Sequence, residues 1–268
     1  MPSFNGIAMV PTLSEGPAQN RCENRKVTNK SVFQPPIFER DVIVIVGGYG
    51  SGKSEVSVNL ARHLARTEQR HIAIADLDIV NPYFRSREAA KQLDQLGIKS
   101  LIPPGELSQS ELPVIIPEIK SSIQQFDGRL VLDVGGDDAG ATVLASLGDA
   151  FQRGRYDLLM VLNAYRPFTS DLPGSLKKMG EIEQACGLTF TGLISNSHLI
   201  EQTNDEVIYH GLDLTRQVAE KTGLPLVFMS AMREVVAQLD PKKVDCAVLP
   251  LERLLLKPWE RARPAGND

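Results

Sequence analysis

The stretch VIVGGYGSGKSE, residues 44–55, sets four glycines and one lysine between an apolar run and a run with helical spacing. Glycine loses more conformational freedom on folding than any other residue, so such a cluster needs a reason. The β-branched run Val42–Val46 predicts a buried strand. Beyond the loop, Val56, Leu60 and Leu64 recur every fourth residue with Ala61 and Ala65 on the same stripe, which predicts a helix. Gly47, Gly52, Lys53 and Ser54 between them match G-x-x-x-x-G-K-[ST], a phosphate-binding loop after a strand and opening a helix. Glycines let backbone N–H groups curl around phosphate oxygens, and the helix N-terminus adds positive potential. The expected cradle is Gly47, Gly48, Tyr49, Gly50, Ser51, Gly52, Lys53, Ser54 and Glu55. In it Lys53 reaches the β- and γ-phosphates and the Ser54 hydroxyl sits on Mg²⁺.

The whole chain bounds this reading. Its 268 residues suffice for one α/β domain. A net charge of −4 speaks against a broad nucleic-acid-binding face, so no specific nucleic-acid module is expected. No apolar run approaches the roughly 20 residues that span a bilayer. The first residues lack the basic start and apolar stretch of a secretory signal, and a cytoplasmic location is expected. Cys22, Cys186 and Cys246 are odd in number and widely spaced, which points to no disulfide framework. His63, His71, His198 and His210 show no metal-ligand spacing and read as ordinary surface or core residues. Residues 1–38, rich in Pro, Asn, Ser and Gly, are expected to form a disordered tail. Residues 39–257 should form the domain and 258–268 a second, flexible tail.

From Asp41 onward short apolar runs alternate with helical segments. Strands are expected at 42–46, 71–75, 100–102, 130–132, 158–162, 192–195 and 226–229. Helices are expected near 53–66, 84–96, 113–126, 139–152, 171–186, 204–222 and 232–238. Such alternation implies an α/β fold, a mostly parallel central sheet with helices on both faces. Ligands then bind beyond the carboxyl ends of the strands. The C-terminal VLPLERLLLKPWERAR, residues 248–263, reads as a last helix docking on the core followed by a frayed end. Its leucines, Trp259 and basic residues also resemble an interfacial helix, but Pro258 and the short apolar stripe make membrane association the weaker expectation.

Two further motifs fall at strand ends. IAIADLD places Asp76 and Asp78 two residues apart, on one side if the extended chain continues. RLVLDVGG supplies Asp133 after an apolar strand, the form of a Walker B carboxylate, with Gly135 and Gly136 behind it. A magnesium–nucleotide centre needs carboxylates for the metal's shell and for the attacking water. The alternative for the Asp76–Asp78 pair is capping of the next helix, and N-capping is the expected task of Asp137 and Asp138.

The order of P-loop strand, helix, DLD strand end and LVLDVGG resembles the MinD/ParA (CobQ/CobB/MinD/ParA) class of P-loop ATPases, from about Val42 to Leu239. The resemblance implies ATP and Mg²⁺ as cofactors. It implies Asp78 and Lys53 as catalytic residues, Asp78 orienting the attacking water, and Ser54, Asp76 and Asp133 at the metal. FTGLISNS resembles the strand whose terminal Asn contacts the base, here Asn196, for which a turn role is the alternative. PLVFMSAMRE stands where the class has its next strand and loop. Members that dimerise over ATP carry a lysine after the first loop glycine; here that position is Gly48, which leaves dimerisation open. Arg85 and Arg87 are candidate substitutes for the missing cation. The implied function is a Mg²⁺-dependent ATP-hydrolysing switch with a protein partner, in enzyme maturation or activation. The alternative is a small-molecule kinase or ATP-dependent ligase akin to dethiobiotin and cobyrinate synthetases, with NPYFRSRE or NAYRPFTSD lining a substrate pocket.

Overall fold

The structure, a computed structural model, describes residues 32–78, 87–101, 112–152 and 154–253, apart from the side chains of 87–90 and 112–116. In chain order the elements are β1 (Val42–Gly47), α1 (Lys53–Thr67), β2 (Ile72–Asp76), α2 (Arg87–Gln95), β3 (Ile98–Ser100), α3 (Leu112–Gln125), β4 (Arg129–Gly135) and α4 (Asp138–Leu147). There follow β5 (Tyr156–Leu162), α5 (Leu172–Cys186), β6 (Gly192–Ser195), α6 (Asp205–Thr222), β7 (Leu226–Met232), α7 (Arg233–Val236) and β8 (Ala247–Leu251). The strands form one sheet in the order β3-β2-β4-β1-β5-β6-β7-β8, and every pairing is parallel.

β1 is central because both its faces are apolar. Val42, Val44 and Val46 join a core with Val143, Leu144 and Leu147 of α4 and Met179 and Ile182 of α5. Ile43 and Ile45 join the opposite core with Val56, Leu60 and Leu64 of α1. This is the period-2 alternation of a strand covered on both sides. Each such fully buried side chain contributes about 1.5–3 kcal/mol relative to exposure. The chain moves to one side of β1 for β2, β3 and β4 and to the other for β5 onward, so a topological switch point falls at the carboxyl end of β1.

Among the boundaries that differ from the sequence expectation, two have a local cause. β3 runs over Ile98–Ser100 rather than 100–102, because Gly97, at φ 75, closes the turn after α2 and Ile98 pairs with Ile72. α4 ends at Leu147 and the chain tightens into a 3₁₀ turn over Gly148–Ala150 instead of continuing to 152.

The reading of 248–263 as a helix is corrected in its first part: Ala247–Leu251 is an edge strand beside β7. Pro250 is tolerated there because an edge strand has one side free of ladder bonds. The remainder of that stretch lies outside the described residues. So does the expected tail up to residue 31. Residues 32–38 lie against the domain: Gln34 O accepts from Val248 N at 2.9 Å, and Phe38 stands edge-on to Phe228 with ring centroids 6.3 Å apart. Cys186 and Cys246 are free thiols. No helix among the described residues is long and apolar enough to cross a membrane.

Candidate nucleotide-binding site

The loop from Gly47 to Gly52 leaves β1 at the switch point and turns into α1. Ser51 N donates to Gly48 O at 3.0 Å, closing a tight turn. Gly52 is the N-cap of α1 at φ 83, a left-handed conformation that only glycine adopts without strain, and no side chain caps the helix there. Orphan N–H groups at such a helix start form an anion site. The loop after β4 lies directly against this turn, with Gly136 N donating to Gly47 O at 3.1 Å. Asp137, as expected, caps α4 by accepting from Gly140 N at 2.8 Å.

Three strand ends bring the acidic residues to this loop. Asp76 and Asp133 are register partners on β2 and β4, and Ile45 of β1 pairs with Asp133. Lys53 Nζ is 2.6 Å from Asp78 Oδ2. Ser54 Oγ donates to Asp133 Oδ2 at 2.6 Å, and Ser57 Oγ donates to Asp133 Oδ1 at 3.3 Å. Asp76 Oδ1 accepts from Asp78 N at 3.1 Å, which fixes the turn that carries Asp78 back toward Lys53. Asp76, Asp78 and Asp133 are all buried.

Burial alone pulls the Lys53 ammonium down, but Asp133, Asp78 and Asp76 outweigh it and hold its pKa above the ordinary lysine value. Burial pushes the Asp133 carboxyl up to about 6, against the pull of Lys53 and of the Ser54 and Ser57 hydroxyls. The site therefore gathers three buried carboxylates around the Lys53 ammonium.

The donor set fits Mg²⁺. A hydroxyl that gives its proton to Asp133 keeps its lone pairs for a metal, and carboxylate oxygens complete a hard-oxygen set. Among the described residues no cluster of three His, Cys, Asp or Glu side chains forms a cage by itself.

The wall on the β5 and β6 side was only partly foreseen. Asn196, just past β6, donates from Nδ2 to Ser51 O at 2.7 Å and accepts from Ser230 Oγ at 2.9 Å. Its amide thus fastens the loop to β7. Arg166, after β5, donates from Nε to Gly50 O at 2.7 Å. His198, read from the sequence as an ordinary residue, belongs to this wall. Burial, with Arg166 nearby, lowers its pKa to about 4, while a hydrogen bond to the Gly50 backbone pulls the other way.

A cleft at the opposite, amino edge of the sheet, lined by Asp41, Ser122, Phe126, Phe151 and Tyr156, encloses about 30 Å³. That is room for one water, at the wrong end of the sheet for the carboxylates.

No protein-family model and no curated protein matches the sequence. Solved structures do match, distantly. FtsY of Thermotoga maritima is 15% identical, with 81% of this chain and 70% of that one covered and a TM-score of 0.48. The chloroplast FtsY of Physcomitrella patens is 16% identical at a TM-score of 0.45. There 74% of this chain is covered, and this chain spans only 61% of that one. FlhF complexed with GTP and Mg²⁺ is 16% identical, with 76% and 70% covered and a TM-score of 0.45. The assignment rests on this chain's own sheet order, on the loop at its switch point, and on the carboxylates gathered there. The fold is that of a P-loop NTPase.

Within this fold the structure brings together Gly47–Ser54, Asp76, Asp78, Asp133 and Asn196. Tyr49 is 83% exposed on the loop, and a side chain at Gly48 would meet no atom within 4 Å. Glu55, in the first turn of α1, uses its carbonyl to accept from Asn59 Nδ2 at 2.9 Å. Arg85 and the side chain of Arg87 lie outside the described residues. Arg166 lies in NAYRPFTSD, and its contact and that of His198 with Gly50 escaped the sequence reading because their partner is a backbone carbonyl, which no residue pattern announces.

Proposed function

We propose that this protein is a Mg²⁺-dependent nucleotide-hydrolysing switch of the MinD/ParA type, with ATP as its nucleotide and a protein as its partner. One observation carries the reading: Lys53, at the uncapped start of α1, is surrounded by carboxylates from the ends of β2 and β4. Phosphates entering the cradle take over the Lys53 ammonium. Asp78 is thereby released and can accept the proton of an attacking water. Ser54 and Asp133 are the residues that would hold Mg²⁺, which when bound offsets the negative charge of the phosphates. The segments that follow Asp78 and Asp133 both start at the nucleotide, so gain or loss of a γ-phosphate is felt there and passed to the partner. Activation or maturation of a partner enzyme is the role the resemblance favours.

The kinase or ligase alternative draws less support. In NAYRPFTSD, offered as a substrate wall, three polar side chains bond the protein itself. Arg166 bonds the loop, Asp171 caps α5 through Gly174 N, and Thr169 Oγ1 donates to Asn163 O. The experiment is nucleotide turnover by the purified chain with Mg²⁺, with ATP and GTP compared. Turnover of ATP abolished in Lys53→Ala supports the reading. Turnover that appears only when a small metabolite is added supports the alternative.

A further inference from the structure

We propose that Arg166 is a positioning residue for the phosphate-binding loop: it fixes the Gly50–Ser51 peptide so that the loop is shaped for phosphates before any nucleotide arrives. The inference rests on the nucleotide-binding reading above and concerns how that same loop is held.

Arg166 Nε donates to Gly50 O at 2.7 Å. A Cβ at position 50 would stand 3.0 Å from Nε and 3.2 Å from Cζ, and Gly50 sits at φ +73. So the left-handed backbone favours glycine here, and a Cβ would also crowd the Arg166 side chain by a few tenths of an ångström. A peptide unit is planar and trans, so fixing a carbonyl fixes the N–H that follows it. With Gly50 O held outward by Arg166, Ser51 N is aimed at Gly48 O, the 3.0 Å bond that closes the turn. With Ser51 O held by Asn196 Nδ2, Gly52 N–H is directed the opposite way. Two successive peptide planes are thereby set by side chains from β5 and β6 loops.

Arg166 can do this because its own backbone is locked. Its N donates to Asn163 O at 3.1 Å and its O accepts from Thr169 N at 3.2 Å. Tyr165 N donates to Asn163 Oδ1 at 2.9 Å, and Thr169 Oγ1 donates to Asn163 O at 3.0 Å. Phe168 within this turn has φ 70, a conformation that a bulky side chain adopts only where the surroundings impose it. Asn163 directly follows β5, the neighbour of β1, so the brace and the loop share one rigid sheet edge. Ordering done in the free protein does not have to be done on binding, which is how preorganisation raises affinity.

The test compares wild type with Arg166→Ala, Arg166→Lys and Arg166→Gln. Four quantities are read: Kd for Mg·ATP and Mg·ADP, kcat, unliganded Tm, and amide exchange at Gly52–Ser54 without nucleotide. A lost hydrogen bond from a charged donor predicts that Ala raises both Kd values roughly tenfold or more. Turnover at saturation should stay within about threefold, because the brace acts on binding rather than on the transition state. The unliganded Tm should move by about 2 °C or less, as for a partly exposed side chain outside the core. Loop amides should exchange faster in Ala, with Lys or Gln restoring part of the loss. A lowered Tm with unchanged Kd would assign Arg166 to the fold alone and overturn the proposal, as would unchanged Kd with unchanged exchange. If the wild type binds no nucleotide, the nucleotide reading fails. The exchange arm still decides whether Arg166 orders the loop.

Discussion

Lys53 Nζ lies 2.6 Å from Asp78 Oδ2, with the two side chains 10% and 4% exposed. In the proposed function this pair joins the residue that binds phosphate with the residue that directs water. In the free protein each neutralises the other. On that proposal nucleotide binding separates them, which links occupancy of the loop to readiness for hydrolysis through one ion pair.

Asp78→Asn keeps the shape and removes the charge. Because Asp78 competes with phosphate for Lys53, ATP affinity should stay within a few-fold of wild type or rise, while turnover falls by about 10²-fold or more. Asp133→Asn should instead weaken Mg²⁺-dependent binding and turnover together, since Asp133 receives the Ser54 hydroxyl. Calorimetric binding and steady-state turnover on both variants separate the roles. Equal binding losses would make Asp78 a metal-holding residue.

The ion pair also has a signature in stability. Lys53→Met removes the ammonium from beside Asp78 and Asp133, and removing one partner of a buried pair costs about 3–5 kcal/mol. The double variant Lys53→Met/Asp78→Asn should cost less than the two single changes summed, with a coupling of about 1–3 kcal/mol. Urea unfolding of the four proteins measures it. Strict additivity would mean the pair is not formed in solution.

His198 gives a pH dependence. Its folded pKa is lowered to about 4 from 6.5, first by burial and then by Arg166. Between those values the unfolded chain binds the proton and the folded protein does not. The contribution to stability is therefore complete above about pH 6.5 and is lost as pH falls toward 4. His198→Gln should flatten the difference in stability between pH 6.5 and 4.5 relative to wild type. An NMR titration should place the His198 midpoint near 4, and higher in Arg166→Ala.

The loop glycines should separate into tolerant and intolerant positions. A Cβ at Gly48 meets nothing within 4 Å, whereas one at Gly52 would fall 2.3 Å from Asn196 Nδ2 on a backbone at φ +83. Gly48→Ala should leave stability within about 0.5 kcal/mol. Gly52→Ala should lose about 1–2 kcal/mol from the left-handed backbone alone, and more from displacing Asn196. Thermal unfolding of the two variants checks the contrast.

Much of this arrangement was legible in the sequence, for identifiable reasons. β1 and α1 announce themselves because the apolar period changes from 2 to 3.6 across a loop whose glycines and lysine have fixed spacing. Asp76, Asp78 and Asp133 were legible as carboxylates ending apolar strands. β8 was not, because AVLPL is short, contains a proline and runs into leucines that mimic a helix. What marks it as a strand is pairing with β7, a tertiary fact. Arg166 and His198 were hidden for a related reason. Both act on Gly50, whose missing side chain says that something comes close without saying what. The bonds of the Asn196 amide to Ser51 O and Ser230 were likewise not announced by the sequence, because the fold alone brings those partners together.

In the proposed function the loop binds nucleotide phosphates through Lys53. The direct measurement is calorimetric titration of Mg·ATP into wild type and Lys53→Ala, with the unliganded fold of each checked by circular dichroism. Saturable binding by the wild type, weakened at least about 100-fold in a folded Lys53→Ala, is the predicted result. Equal affinity in the two folded proteins, or no binding by the wild type, would contradict the account.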